Sequence, residues 1–174
     1  APDGSKLHTL ILDGSYLGDE GAEDVARALE RKHTALRTLR CFYCGVRNRG
    51  AQAIARVLPA TRLSRLDLTH NEVGAEGVNA LADAISEQPS SRHRKKFELN
   101  LSDNQIIAPR GESSRAGRRG DPGGAIHALC ALVEALDARG GRIGLAVANI
   151  GLAASGDASV DLMRKLGASA IEVI

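Results

Sequence analysis

The stretch LSRLDLTHNEVGAEGVNALADAI, residues 63–85, joins two periodicities in one short segment. Leu66-Asp67-Leu68 alternates apolar and polar, the period of a strand with one buried face, whereas Val78, Leu81, Ala82 and Ile85 recur at helical spacing. Between them Asn71, Val73 and Gly74 supply a turn, and Gly77-Val78 puts small residues at the start of the helix. The segment therefore reads as one strand, one turn and one helix. Upstream, the same spacing returns at Leu36, Leu39, Cys41, Val46, Gly50-Ala51, Ile54-Ala55 and Leu58. It returns again at Leu7, Leu10, Leu12, Leu17-Gly18, Gly21-Ala22, Val25-Ala26 and Leu29. Three units match in register without an internal gap. A unit of this size cannot bury its apolar face alone, so the self-similarity predicts stacked units sharing one continuous core.

Downstream the pattern loosens. Leu99, Leu101, Asn104 and Ile106 mark a fourth strand and turn, but its small pair and helix resume only at Gly124-Ala125, Leu129 and Leu132, leaving an insertion over residues 109–123. A fifth unit runs from Ile143 and Leu145 through Ile150-Gly151 to a helix around Ser155 to Leu166. Its turn residue is Ala148 or Asn149; Ala148 is preferred because it leaves a regular distance to a sixth strand, Ile171-Glu172-Val173, after the helix-stopping Gly167. The expectation is a single domain over residues 1–174, with units near 7–35, 36–62, 63–95, 96–139 and 140–167 and a final strand in 168–174.

The pattern of Leu63, Leu66, Leu68, Asn71, Val73-Gly74, Gly77-Val78, Leu81-Ala82 and Ile85 resembles the leucine-rich repeat of ribonuclease inhibitor, of NOD-like receptors and of Ran GTPase-activating protein. The resemblance covers nearly the whole chain and is sharpest over the first three units. It implies an α/β fold, a right-handed β-α superhelix of five to six repeats, with parallel strands on a concave face and helices outside. It also implies that Asn71 and Asn104 turn inward to satisfy backbone groups of adjacent turns, a structural task rather than a catalytic one.

The bulk composition agrees. At 174 residues and 43% hydrophobic, the chain suits one domain, and with no Trp, two Phe and two Tyr its core must be built from Leu, Val, Ile and Ala in many similar contacts. No apolar run reaches the ~18 residues of a membrane span, and residues 1–6 hold no apolar signal segment, so a membrane location is not expected. Cys41, Cys44 and Cys130 are too few for a disulfide framework, which favours a reducing, cytoplasmic compartment; a cytoskeletal or ciliary assembly is compatible with that. A repeat beginning at Leu7, and a last strand at Ile171 to Ile174 that would leave an open sheet edge, suit an excerpt of a larger protein or assembly.

Several motifs have simpler readings than their chemistry suggests. Cys41-Phe42-Tyr43-Cys44 is a C-x-x-C, but Cys41 takes the strand position of Leu12 and Leu68, and Cys44 the turn position of Asn71. With no second pair to complete a tetrahedral zinc site, both read as buried thiols, and neither metal nor cofactor is expected. His8, His33, His70, His93 and His127 fall in different units and phases and form no catalytic set. Arg119-Gly120-Asp121 is too short a match to weigh, and the glycines of 117–124 lack a phosphate-loop ending.

Charge is unevenly placed. Arg92, Arg94, Lys95 and Lys96, together with Arg110, Arg115, Arg118 and Arg119 in the insertion, hold eight of the 23 basic residues beside two of the 21 acidic ones, so the rest of the chain is mildly acidic. One run precedes a strand and the other follows one, which puts them on opposite rims of a parallel solenoid. Arg92, Arg94, Lys95, Lys96, Arg115, Arg118 and Arg119 are thus candidate contacts for a partner protein with an acidic surface. Without interleaved aromatics they argue against nucleic acid.

Alternation assigns the outward strand face to Thr38, Arg40 and Phe42 in unit two, Arg65, Asp67 and Thr69 in unit three, and Glu98, Asn100 and Ser102 in unit four, with Tyr43, His70 and Asp103 just beyond. Arg40, Phe42, Tyr43, Arg65, Asp67, His70, Glu98 and Asp103 are the candidate partner-binding residues, since aromatics and Arg dominate interface hot spots. The expected function is a protein-interaction module or scaffold subunit of an intracellular assembly, with no small-molecule substrate and no enzymatic activity. The alternative is regulation of a small GTPase in the manner of Ran GTPase-activating protein, although no residue set here carries that activity over; single-turnover GTP hydrolysis would separate the two.

Overall fold

A computed structural model of the protein describes residues 7–30, 35–87, 97–106, 122–138 and 142–144. Its strands are three residues long: β1 (Thr9–Ile11), β2 (Thr38–Arg40), β3 (Arg65–Asp67), β4 (Glu98–Asn100) and β5 (Arg142–Gly144). In β2, β3 and β4 the middle residue, Leu39, Leu66 or Leu99, is buried while its neighbours face outward or sit half-buried. That single inward leucine is the alternation read from the sequence. The strands form one parallel sheet in the order β1-β2-β3-β4-β5, with Leu10, Leu39, Leu66, Leu99 and Ile143 in one register row. Ile143 takes the register position of Leu99, and the expected turn residue Ala148 lies outside the described residues.

Parallel strands need crossovers, and here each crossover is a helix: α1 (Gly18–Leu29), α2 (Asn48–Val57, prolonged by a 3-10 turn at Leu58–Ala60), α3 (Ala75–Glu87) and α4 (Pro122–Asp137). The helices pack side by side in chain order. The core lies between the two layers, where Ile54, Leu58, Leu81, Ile85, Leu129, Leu132 and Leu136 meet Leu39, Leu66, Leu68, Leu99 and Leu101, all of them essentially inaccessible. The result is an α/β repeat solenoid. α4 starts at Pro122, two residues before the Gly124-Ala125 pair from which the pattern begins its helix; proline suits a first helical position because the amide it lacks would have no intrahelical partner. The remainder of the insertion, the expected helix of the fifth unit and the sixth strand lie outside the described residues.

Close stacking explains the small residue that opens each repeat helix. A Cβ on Gly50 would stand 2.9 Å from Ala22 Cβ and 2.7 Å from Asp19 Oδ1, and one on Gly77 would stand 3.1 Å from Ala51 Cβ. The first unit departs from the others. Leu7 is 51% exposed whereas its counterparts Leu36 and Leu63 are buried, and Leu10 and Leu12 are only half-buried, because among the described residues β1 pairs with β2 alone.

Two polar ladders run perpendicular to the strands. In the first, Asn71 Oδ1 accepts from the amides of Cys44 (3.1 Å) and Val46 (3.0 Å), while its Nδ2 donates to the carbonyls of Cys41 (2.7 Å), Leu68 (2.9 Å) and Thr69 (3.1 Å). Asn104 repeats this one unit on, accepting from Val73 N and donating to Leu68, Leu101 and Ser102 carbonyls. Cys44 stands in for the amide one unit back: its thiol donates to Leu12 O at 3.0 Å, as Asn71 donates to Cys41 O. In the second ladder, Asp19 Oδ1 accepts from Arg47 N (2.9 Å) and Gly50 N (2.7 Å), and Asn48 Oδ1 accepts from Gly74 N (2.7 Å) and Gly77 N (3.2 Å). Each of these side chains caps the helix of the following unit, occupying the place of a local N-cap, and α2 has no side-chain cap of its own. The corresponding residue of the third unit is Ala75, which has no oxygen to offer.

Candidate functional site

The outward face of the sheet carries charges in register. Arg40 stands opposite Asp67, and Arg65 opposite Glu98. The Arg40 guanidinium lies 2.7 Å from Asp13 Oδ2 and 4.0 Å from Asp67 Oδ2, while Arg65 and Glu98 approach to 3.6 Å. Opposite charges on adjacent strands of one face support each other modestly at this exposure. Arg40, Arg65, Asp67 and Glu98 are thus brought together, yet as partners of one another. Asp67 also accepts from the amide and hydroxyl of Thr69.

Beyond the strand ends the chain turns, and the residue four places after the middle leucine of each of β1 to β4 takes a left-handed conformation: Gly14 (φ 65°), Tyr43 (53°), His70 (55°) and Asp103 (56°). Gly14 does so freely. A tyrosine or histidine there is held at a cost of about 1–3 kcal/mol. Tyr16 (φ 49°) is the fourth non-glycine residue of this kind among the described residues. All four border one shallow cleft of about 380 Å³, completed by Gly45, Asn71 and Glu72.

Rings dominate the mouth of this cleft. Phe42 and His70 have centroids 5.2 Å apart, and Tyr43 lies 6.5 Å from each, edge-on to His70. Tyr16 is 85% and Tyr43 58% exposed, among the most accessible large apolar side chains described. Carboxylates flank the rings: Asp103 Oδ2 is 3.3 Å from His70 Nδ1, and Glu72 Oε2 accepts from Arg47 Nε at 2.8 Å. That bond raises Arg47 above its ordinary value. Of the residues proposed from sequence, Phe42, Tyr43, His70 and Asp103 converge here and Arg40, Arg65, Asp67 and Glu98 occupy the adjoining strand face. The sequence reading missed Tyr16, Glu72 and exposed Ile11. One signal was present in Gly14-Ser15-Tyr16 and Tyr43-Cys44-Gly45, where a tyrosine and a glycine bracket the turn in both units. Arg92, Arg94, Lys95, Lys96, Arg115, Arg118 and Arg119 lie outside the described residues.

Cys41, Cys44 and Cys130 are buried and none of them is in a disulfide, and among the described residues no group of His, Cys, Asp and Glu could hold a metal ion. Burial, followed by the neighbouring Cys44, pushes the Cys41 thiol up to about 12, so it stays protonated and is a poor nucleophile. No helix among the described residues is long and apolar enough to cross a membrane.

Stacked strand-helix units, an inward asparagine at the third and fourth turns and a site presented on the turn ridge define an α/β repeat solenoid with the architecture of leucine-rich repeats. The family model described as "Leucine Rich repeat" matches residues 61–82. Mouse ribonuclease inhibitor is 40% identical over 85 residues, which make up 48% of this chain and 18% of the inhibitor. Human NACHT, LRR and PYD domains-containing protein 5 is 37% identical over 80 residues, 45% of this chain and 7% of that protein. The chain therefore spans less than a fifth of the length of these relatives. In three dimensions the structure titled "Leiomodin-1 Actin-Binding Site 2 (ABS2)" superposes with a TM-score of 0.57 at 15% identity, over 92% of this chain and 84% of that one, a likeness of fold. The repeats of this chain are similar to those of ribonuclease inhibitor over about half of its length.

Proposed function

We propose that this chain is a protein-binding module, without enzymatic activity, whose contact surface is the turn ridge of units one to three and the adjoining strand face. The observation that carries this reading is the set of bulky, exposed side chains held in left-handed turns, Tyr16, Tyr43 and His70, where Gly14 (for Tyr43 and His70) and Gly45 (for Tyr16), at the equivalent positions of other units, show that a residue free of strain would serve the backbone. Strain at an exposed aromatic cluster is expected where side chains are displayed for contact. The names of the similar proteins, an inhibitor of ribonuclease and an actin-binding site, support protein binding as the use of such repeats. Three buried cysteines outside any disulfide support a cytoplasmic setting, and the actin-binding neighbour makes a cytoskeletal assembly the first place to look.

A photo-crosslinking residue placed at Tyr43, and in a second protein at Gln52 on the exposed face of α2, tests the reading in native extract. Crosslinks to a common partner from Tyr43 and none from Gln52 are expected. Adducts from Gln52 alone would move the interface to the helical side. Phe42→Ala and Arg40→Glu in the same assay measure how far the contact extends along the strands; capture is expected to fall in both.

A further inference from the structure

The cleft at the turn ridge has a chemical character beyond being aromatic. Its lining comprises Tyr16, Tyr43, Gly45, His70, Asn71, Glu72 and Asp103, with two carboxylates and no lysine or arginine. Phenol rings offer negative faces to a cation, and carboxylates beside them supply the matching charge. The chain itself shows that the rim accepts a guanidinium: Arg47 Nε sits 2.8 Å from Glu72 Oε2 on a side chain that is largely in solvent. The volume of about 380 Å³ is large for one small ion and suits a long side chain with the flanking backbone of a peptide.

We infer that this cleft recognises an arginine side chain of an extended, basic segment in the partner protein, stacking its guanidinium on Tyr16 and Tyr43 and pairing it with Glu72 and Asp103. Arginine suits the site better than lysine because a planar guanidinium can stack on a ring and meet a carboxylate with two parallel bonds, whereas an ammonium does neither. Arg47 acts as the resident competitor: it holds Glu72 until an incoming guanidinium shares or replaces it. The proposal rests on the reading of the turn ridge as the contact surface and adds the partner's chemistry, opposite in sign to the acidic surface inferred from the basic runs of the sequence.

The composition supplies the probe. The chain has no Trp and two Tyr, both of which line the cleft, so intrinsic tyrosine emission reads this site alone. The full chain is titrated with hexa-arginine and, separately, with hexa-citrulline, hexa-lysine and hexa-glutamate peptides at low salt. Hexa-arginine is expected to change the emission saturably, with citrulline at least about ten-fold weaker, lysine intermediate and glutamate without effect. Glu72→Gln should weaken hexa-arginine about ten-fold, and Arg47→Gln should tighten it by about three-fold because it frees Glu72. Glu87→Gln, on the exposed end of α3, is the control for diffuse attraction and should change little. Equal binding of citrulline, an equal loss in Glu87→Gln and Glu72→Gln, or no tightening in Arg47→Gln would overturn the inference. Crosslinking from Tyr43 combined with no arginine preference would refute the arginine site while leaving the protein-binding reading intact; arginine binding with crosslinks only from Gln52 would do the reverse.

Discussion

Replacing Asn71 by alanine should be the most damaging single polar change in this protein. Its amide makes five hydrogen bonds inside the turn, and their loss is unequal. The Leu68 carbonyl keeps Asn104 Nδ2 at 2.8 Å, and the Thr69 carbonyl keeps the amide of Tyr43 at 3.1 Å. The amides of Cys44 and Val46 have no such reserve, because both donate to the oxygen that is removed. A stranded buried amide costs about 1–3 kcal/mol, so the two together cost about 2–6 kcal/mol, a large share of the ~5–15 kcal/mol that a domain commands. Urea unfolding followed by circular dichroism at 222 nm would read this as a fall in midpoint. Asn71→Cys should retain part of the loss, since Cys44 shows that a thiol can donate to the neighbouring carbonyl but cannot accept two amides. An Asn71→Ala protein within 1 kcal/mol of the parent would show that water satisfies these turns and that the ladder is dispensable.

Three further outcomes follow from the same geometry. Asp19→Ala removes the acceptor for Arg47 N and Gly50 N and should cost about 1–2 kcal/mol, read by chemical denaturation, with a larger rise in hydrogen exchange at those two amides than within α1 itself. Cys41, protonated up to about 12 in the fold against 9.0 when free, contributes stability that is intact below pH 9 and lost as pH rises from 9 toward 12. Thermal melts across that range should therefore fall less steeply for Cys41→Ala than for the parent, and identical slopes would contradict the assignment. Tyr43→Gly relaxes a left-handed residue and should leave the denaturation midpoint unchanged or raised while lowering partner capture; a drop in both would mean that the ring supports the fold.

The solenoid was legible because its physics repeats. One inward leucine in each of the first four strands and one helix-opening glycine recur at fixed distances, with an inward amide in the third and fourth units, and any one unit checks the others. The assignment of Asn71 to structure and of the Cys41/Cys44 pair to buried thiols rested on the same repetition. Less legible was what passes between units. Arg40 with Asp67 and Arg65 with Glu98 become pairs only once the strands are laid in register, so residues that look available to a partner in the linear chain are already engaged with one another. The cleft was half visible: Tyr43, His70 and Asp103 were named as the residues just beyond the alternating strand face, but Tyr16 lies two residues beyond Gly14 and enters through a left-handed turn that alternation does not describe. Cys44 was expected to pack as a small apolar group; instead its thiol is a hydrogen-bond donor doing an asparagine's task.

The helix caps supplied from the preceding unit work as length gauges. Asp19 grips two amides three residues apart, at 47 and 50, and Asn48 grips 74 and 77, so a residue added to either of those connections would pull one amide off its oxygen and misplace the helix by a fraction of a turn. At the third unit the gauge is absent, because Ala75 can grip nothing. The next connection, from β4 to α4, is the one that carries the long insertion. With no grip from residue 75 to lose, that connection can lengthen without breaking a cap of this kind, and new surface can be grafted onto the solenoid there.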